Sequence, residues 1–254
     1  MDLCLGTLLK HVSEDSVFLE PAGGTGEFIE GLLRRDIPEE AIESFDIEPR
    51  HRLVKETEDF LQEMLGYNAQ RVVVSNPPFG RANSLSVKFF NRCAQTGDVV
   101  GFLVPKAWRK WSIQDRLNLS FHLVDDIDMP PVAFYAADGS PHEGGKLQTI
   151  FQVWKRKLPA RQKTSVSDRK YIKKTSCEDA DVSLTVFGRG CGTLKEEFER
   201  VPNTTQMFLK VAGPEVVEAL KSVDFARFFN NVSYTEALSI KEIKYLLNEY
   251  FDQR

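Results

Sequence analysis

Val17-Phe18-Leu19-Glu20-Pro21-Ala22-Gly23-Gly24-Thr25-Gly26-Glu27-Phe28 is the stretch on which the fold turns. Val17-Phe18-Leu19 is an apolar run of strand-forming side chains, and Pro21 with three glycines ends it. A helix is expected over residues 27–35. Strand, glycine turn and helix together are the layout of a nucleotide-binding βα unit, in which glycines admit a ligand close to the backbone and the helix N-terminus offers free N–H groups. The spacing is not the dinucleotide GxGxxG. It predicts an α/β fold with a Rossmann-like sheet.

Downstream, a second strand, Ser44-Phe45-Asp46, runs into Asp46-Ile47-Glu48-Pro49. An acid at the end of the second strand of such a sheet meets ribose hydroxyls, so Asp46 is the candidate and Glu48 is expected to face solvent. Further on, Arg71-Val72-Val73-Val74-Ser75 reads as a buried strand that Asn76-Pro77-Pro78-Phe79 breaks. Two prolines fix φ and remove two donors, so the turn is stiff and rich in acceptors. Such a turn suits a planar group carrying an NH2. The exocyclic amine of a base is a poor nucleophile because its lone pair is delocalised. The Asn76 side-chain oxygen and the Pro77 carbonyl can accept its two N–H bonds, draw the nitrogen toward tetrahedral geometry and free that lone pair. Phe79 offers an aromatic face for the base.

Taken in order, these features resemble the S-adenosylmethionine-dependent amino-methyltransferases of the NPPF/NPPY type, the family of the N6-adenine-specific DNA methyltransferases. The resemblance covers roughly residues 17–156. It implies a class I methyltransferase sheet with a small C-terminal α+β region, and S-adenosyl-L-methionine as cofactor. The E/DPxxGxGxF match implies that Glu20, Ala22, Gly24 and Gly26 line the methionine part, and Asp46 the ribose. Asp59-Phe60 matches the family's Asp-Phe, which implies contact with the cofactor adenine; a turn-capping acid and a core Phe fit the same two residues. Asn76, Pro77, Pro78 and Phe79 become the catalytic motif. The stretch between Pro49 and Asn76 is too short for an inserted recognition domain, as in the group that carries its recognition region C-terminally. One departure is the family's cofactor element before the glycine turn, which is short or absent here, so that the methionine-side pocket is either incomplete or finished by another segment.

Lys106-Ala107-Trp108-Arg109-Lys110-Trp111 mixes cations and aromatics. It carries two readings: Lys106 and Trp108 touch a nucleic acid, or the tryptophans anchor the next helix to the sheet. Val132–Tyr135 and Gln148–Trp154 read as a hairpin closing the sheet, with Phe134 as the aromatic that sandwiches the target base.

Composition narrows the class. The chain has 254 residues, 42% hydrophobic, with net charge −4, which excludes a globally basic nucleic-acid binder. Residues 1–154 carry 15 Lys and Arg against 23 Asp and Glu, whereas residues 155–254 carry 18 against 14. A polyanion should therefore meet the second part or a local groove. Four cysteines show neither CxxC nor zinc spacing, so no metal is expected, and they fit a reducing compartment. No signal peptide and no membrane-spanning run is read, which predicts an intracellular protein, cytoplasmic or nuclear, without a membrane partner. Two domains are expected: 1–156 as the cofactor-binding core, and 157–254 as a basic linker with a recognition or accessory region. The cations from Lys155 to Lys174 face only Asp168, as a phosphate-binding segment or a solvated linker. Strands are expected at 182–187 and 205–211, and helices at 214–222 and 239–251, the last opened by a Ser239/Glu242 capping box.

The favoured activity is methyl transfer to adenine N6 in DNA. RNA amines, then a protein glutamine amide, then a catalytically silent nucleic-acid-binding module follow as alternatives.

Overall fold

Three valines place one strand at the centre of the sheet. In the computed structural model Val73 and Val74 are fully buried and Val72 nearly so. The structure describes residues 1–130, 147–201, 205–232 and 235–253. These form two compact units, Met1–Lys163 and Thr164–Arg254.

The first unit runs α1 (Asp2–Leu8), β1 (Val17–Glu20), α2 (Glu27–Leu33), β2 (Ile42–Asp46), β3 (Val54–Glu56), β4 (Arg71–Ser75), α3 (Ser84–Cys93), β5 (Val99–Pro105), α4 (Trp111–Gln114), β6 (Phe121–Asp128) and β7 (Thr149–Arg156). Its seven strands lie in the order β3-β2-β1-β4-β5-β7-β6. Neighbours from β3 to β5 are parallel, and β7 inserts antiparallel between β5 and β6. This is a Rossmann-like sheet, the α/β architecture that the sequence predicts.

Side-chain alternation along the strands builds a layer on each face. Val72 and Val74 join Leu5, Leu8, Phe18 and Phe28 on the α1/α2 face. Val73 joins Leu19, Phe90, Phe102, Trp108 and Trp154 on the α3 face. There Phe90 meets Phe102, Trp108, Phe121 and Trp154 edge-on, with ring centroids 5.6 to 6.0 Å apart. Such contacts add about 0.5–1.5 kcal/mol each beyond area burial.

The sheet closes differently from the expected hairpin. Gln148–Trp154 does contribute a strand, β7, but its described partners are β5 and β6, with a register shift between Leu123 and Asp125. Val132–Tyr135, and with it Phe134, lies outside the described residues. Strand β6 escaped the sequence reading because Phe121-His122-Leu123-Val124-Asp125-Asp126-Ile127-Asp128 carries three acids. Among the described residues it is an edge strand, bonded on one side only, where charge guards against further pairing.

The second unit contains β8 (Ile172–Lys174), β9 (Val182–Phe187), β10 (Leu194–Lys195), β11 (Thr205–Val211), α5 (Pro214–Ser222), α6 (Ala226–Phe229) and α7 (Ile240–Asp252). Its strands form an antiparallel sheet, β10-β9-β11-β8. Leu184, Leu209, Val216, Leu220, Ile243 and Leu247 make its core. Ser239 and Glu242 complete the capping box at α7.

The basic segment is more ordered than a solvated linker. Lys155 and Arg156 finish β7, and Arg156 pairs with Asp98 at 2.6 Å. The Arg161 guanidinium lies 5.2 Å from the Trp154 ring centre. Within the second unit Arg169 pairs with Asp252, and Lys244 with Asp168, both at 2.6 Å.

Among the described residues no helix is long and apolar enough to cross a membrane. Cys4, Cys93 and Cys191 are buried free thiols, and Cys177 is a partly exposed one.

Candidate active site

Three adjacent strands end at one place. Glu20 closes β1, Asp46 closes β2, and Asn76 follows the last residue of β4. The carboxyl ends of the strands flank a cavity of about 590 Å³ whose wall includes Glu20, Ala22, Gly24, Asp46, Asp59 and Phe60, together with Asn76 and Pro78. Parallel sheets bind ligands at this end, outside the carboxyl edge of the strands.

Each glycine of the turn answers to a different neighbour. A side chain at Gly23 would lie 2.2 Å from the Ser44 hydroxyl, so that position permits close approach of β2. Gly24, with φ +44°, donates its N–H to Asp46 Oδ2 at 2.8 Å. A Cβ there would meet only that oxygen, at 3.8 Å, leaving the wall open at this point. Gly26 departs from the expected role in lining a ligand. It is the left-handed N-cap of α2, φ +81°, its Cβ position 2.4 Å from the His51 ring, and it is not part of the cavity wall. Gly26 therefore serves the turn from strand to helix.

Glu20 is the most unusual group in the wall. Its residue is 4% exposed, and Oε2 is buried without a hydrogen-bond partner. Burial pushes its carboxyl well above the usual carboxylate range, and the nearby Asp46 and Glu27 push the same way. Glu20, Glu27, Asp46 and Asp59 all line the cavity, and no Lys or Arg among the described residues does. A pyrophosphate would be repelled from such a wall, and a cationic ligand drawn in. The orphaned Glu20 oxygen, four carboxylates and an open backbone edge at Gly24 fit a cofactor that carries an ammonium and a sulfonium.

Asp46 is held by backbone. Oδ2 accepts from Gly24, and Oδ1 accepts from Glu48 N–H at 2.9 Å. Each carboxylate oxygen keeps further lone-pair capacity for a hydroxyl. Glu48 itself is exposed and pairs with Arg50 at 2.8 Å. Asp59 caps the turn Phe60–Gln62, accepting from Leu61 N–H at 2.9 Å. Phe60 is 2% exposed and stacks on Phe89, ring centres 5.6 Å apart. The capping and core roles are thus both realised, while the two residues also reach the cavity wall.

In the stretch Asn76–Phe79, Asn76 and Pro78 are exposed and line the cavity; Pro77 and Phe79 do not. Among the described residues no donor takes the Asn76 side chain or the Pro77 carbonyl. The Asn76 side chain is thus exposed with no partner inside the protein, whereas Pro77 is buried beside it. Phe79 contributes its carbonyl, which accepts from Leu85 N–H at 3.1 Å and Ser86 N–H at 3.3 Å, tying the motif to the start of α3.

Trp108 is a correction. It is fully buried, with its indole N–H on Ser86 Oγ at 3.3 Å, so it anchors the sheet's α3 face and has no surface to stack a base. Lys106 is mostly covered and lies 3.8 Å from Asp128. Sequence reasoning missed Thr57, Ile47 and Phe89, which also line the cavity. Only Ile47 left a signal, an apolar residue between two acids in a polar loop, and it is 70% exposed. A second depression of about 790 Å³, in the other unit, is lined by Lys195, Glu196, Glu197 and Glu199 and holds none of the expected site residues.

No family model matches the chain, and no curated protein matches it by sequence. Solved structures similar to it include a protein assigned as an RNA methyltransferase from Pyrococcus horikoshii, at 16% identity and TM-score 0.45 over 63% of this chain and 82% of that one. Another is a modification subunit assigned to a type I restriction enzyme from Vibrio vulnificus, at 16% identity and TM-score 0.42 over 61% of this chain and 43% of that one. The 23S rRNA methyltransferase ErmE is a third, at 15% identity and TM-score 0.40 over 64% of this chain and 69% of that one. The functional reading therefore rests on the cavity itself.

Proposed function

We propose that this protein transfers a methyl group from S-adenosyl-L-methionine to the exocyclic N6 amine of adenine in DNA. One observation carries the reading. An acid-lined cavity with no Lys or Arg in its wall among the described residues shares that wall with Asn76 and Pro78, and the motif's Asn76 amide and Pro77 carbonyl have no donor within the described residues.

Bound in this cavity, the cofactor supplies an electrophilic methyl on a sulfonium. Glu20, Ala22 and Gly24 hold its methionine end, where the ionised Glu20 carboxylate balances the ammonium. Asp46 accepts from the ribose hydroxyls, and Asp59 and Phe60 flank the adenine. The target base enters with its amine between Asn76 Oδ1 and the Pro77 carbonyl. Both accept an N–H, so the nitrogen lone pair leaves conjugation and points at the methyl carbon. The amine held by Asn76 and Pro77 would take the methyl as its bond to sulfur breaks, the electron pair of that bond would leave with the thioether product, and the nitrogen would shed its extra proton to solvent. Phe79 and the masking of water by the base complete the geometry. An adenine in a duplex has to be flipped out to reach these acceptors.

Residues 157–254 serve in this reading as the recognition or accessory region. The test uses tritiated S-adenosylmethionine with unmethylated duplex DNA, single-stranded DNA and total RNA, each beside an Asn76→Ala control, followed by nucleoside analysis. Label in N6-methyladenine from DNA, lost in the control, supports the proposal. Label confined to RNA replaces the substrate, and cofactor binding with no label in any polymer removes the nucleic acid.

A further inference from the structure

Immediately beyond the catalytic motif lies a patch whose charge opposes that of its surroundings. The first 154 residues carry 15 Lys and Arg against 23 Asp and Glu, and many of those cations are paired. Arg81, Lys88 and Arg116 are exposed, and no carboxylate among the described residues pairs with any of them. They are also neighbours. Arg116 Nη1 donates to the Ala82 carbonyl at 3.3 Å, which sets its guanidinium against the turn that bears Arg81. The Arg116 carbonyl accepts from Asn91 Nδ2 at 3.0 Å, and Lys88 precedes Asn91 by three positions on α3, hence on the same helix face.

The turn under this patch is held in a costly shape. Gly80, Ala82 and Asn83 all have positive φ, at 66°, 50° and 58°. For a residue such as Ala82 the left-handed region costs about 1–2 kcal/mol. Ser86 Oγ donates to the Asn83 carbonyl at 3.2 Å and Arg116 to the Ala82 carbonyl, so both strained residues are tied down. Local strain maintained by outside bonds marks a surface kept in one arrangement.

We propose that Arg81, Lys88 and Arg116 anchor the phosphodiester backbone of the strand that carries the target base. The proposal rests on the nucleic-acid reading above. Two unpaired cations, two and nine residues past Phe79 on the turn and helix, joined by a third from the α4 exit, present positive charge beside the motif where the base must enter. The net-acidic cavity repels phosphate, so the strand is admitted by its base and held by this rim.

The test uses the full chain and a fluorescein-labelled adenine-containing oligonucleotide, single-stranded and duplex, with anisotropy read across a salt series. Arg81→Gln, and the triple variant Arg81→Gln/Lys88→Gln/Arg116→Gln, are compared with Lys55→Gln, a paired lysine on β3. Arg116→Lys, which keeps the charge, controls for loosening of the turn. The triple variant is expected to raise Kd on the order of tenfold or more and to lower the slope of log K against log salt by about two to three. Cofactor affinity stays unchanged, and in methyl transfer the KM for the polymer rises more than kcat falls. Unchanged affinity and slope in the triple variant overturn the anchor, as does a wild-type chain that binds no oligonucleotide. A chain that methylates nucleic acid while the triple variant binds as tightly as wild type sinks only this inference; a chain that binds cofactor and methylates only protein sinks the nucleic-acid reading as well.

Discussion

Acidic residues at the two sides of the same sheet have opposite surroundings. On the β6–β7 side every strand acid has a partner: Asp125 contacts His11 at 3.0 Å, Asp126 takes a fork from Arg109 and a bond from Gln152, and Asp128 meets Arg109 at 2.9 Å. At the ends of β1 and β2 neither Glu20 nor Asp46 forms an ion pair among the described residues, and the Arg50 guanidinium close to Asp46 is paired with Glu48 at 2.8 Å. Asp46 is held by backbone N–H groups alone, and Glu20 keeps a buried oxygen with no partner. Burying a polar group without a partner costs stability, and the folded chain retains this one where a cavity opens. Paired acids close the antiparallel edge; unpaired acids line a cavity that a cation can enter.

The largest expected effect tests the cavity side. Asn76→Ala should lower kcat by about a hundredfold to a thousandfold, the scale for losing one group that stabilises developing charge, with cofactor affinity retained in equilibrium dialysis. A variant that still turns over at near wild-type rate would separate Asn76 from the chemistry. On the paired side, Arg109→Ala should reduce unfolding free energy by about 3 kcal/mol in a urea titration, because it strands Asp126 in a mostly covered site. Loss of activity without loss of stability there would move Arg109 from structure to substrate.

Glu20→Gln sharpens the contrast by changing charge at nearly constant shape. Cofactor affinity should fall about tenfold to a hundredfold, as a charge-assisted bond becomes a neutral one. The pH dependence carries its own sign. The folded-state carboxyl ionises later than the unfolded one, pushed up by burial, then by Asp46 and Glu27. Between the two values the folded chain holds the extra proton, so the stability of the ligand-free protein falls as pH rises through that window. Calorimetry should show wild type losing Tm from mildly acidic toward neutral pH and Glu20→Gln losing less. Cofactor binding should run the other way in wild type, tightening as Glu20 ionises. The smallest effect is at the rim: Lys106→Ala removes a 3.8 Å contact with a largely exposed Asp128 and should cost under about 1 kcal/mol. A polymer KM that rises in that variant would assign Lys106 to substrate after all.

Much of this was legible from residue order. Val72-Val73-Val74 admits little but a buried strand, Pro21 with its glycines ends β1 where expected, and Ser239 with Glu242 caps α7. These are local features, set by backbone sterics and short-range bonds. The misreadings share one cause, dependence on distant neighbours. Strand β6 looks like an acidic loop until Arg109 and Gln152 neutralise Asp126. Trp108 looks like a surface aromatic until Phe90, Phe102 and Ser86 enclose it. Gly26 resembles Gly24 by spacing, yet one packs on His51 and the other opens toward the cavity.

Residue order alone thus determined the βα unit, the central strands and the identity of the acceptor motif, because each is written within a few consecutive residues. Tertiary structure alone decided which groups share a cavity, which acids go without a cation, and which cations beyond the motif go without an acid. Those depend on residues far apart in the chain, since charge and burial act through space and not along sequence.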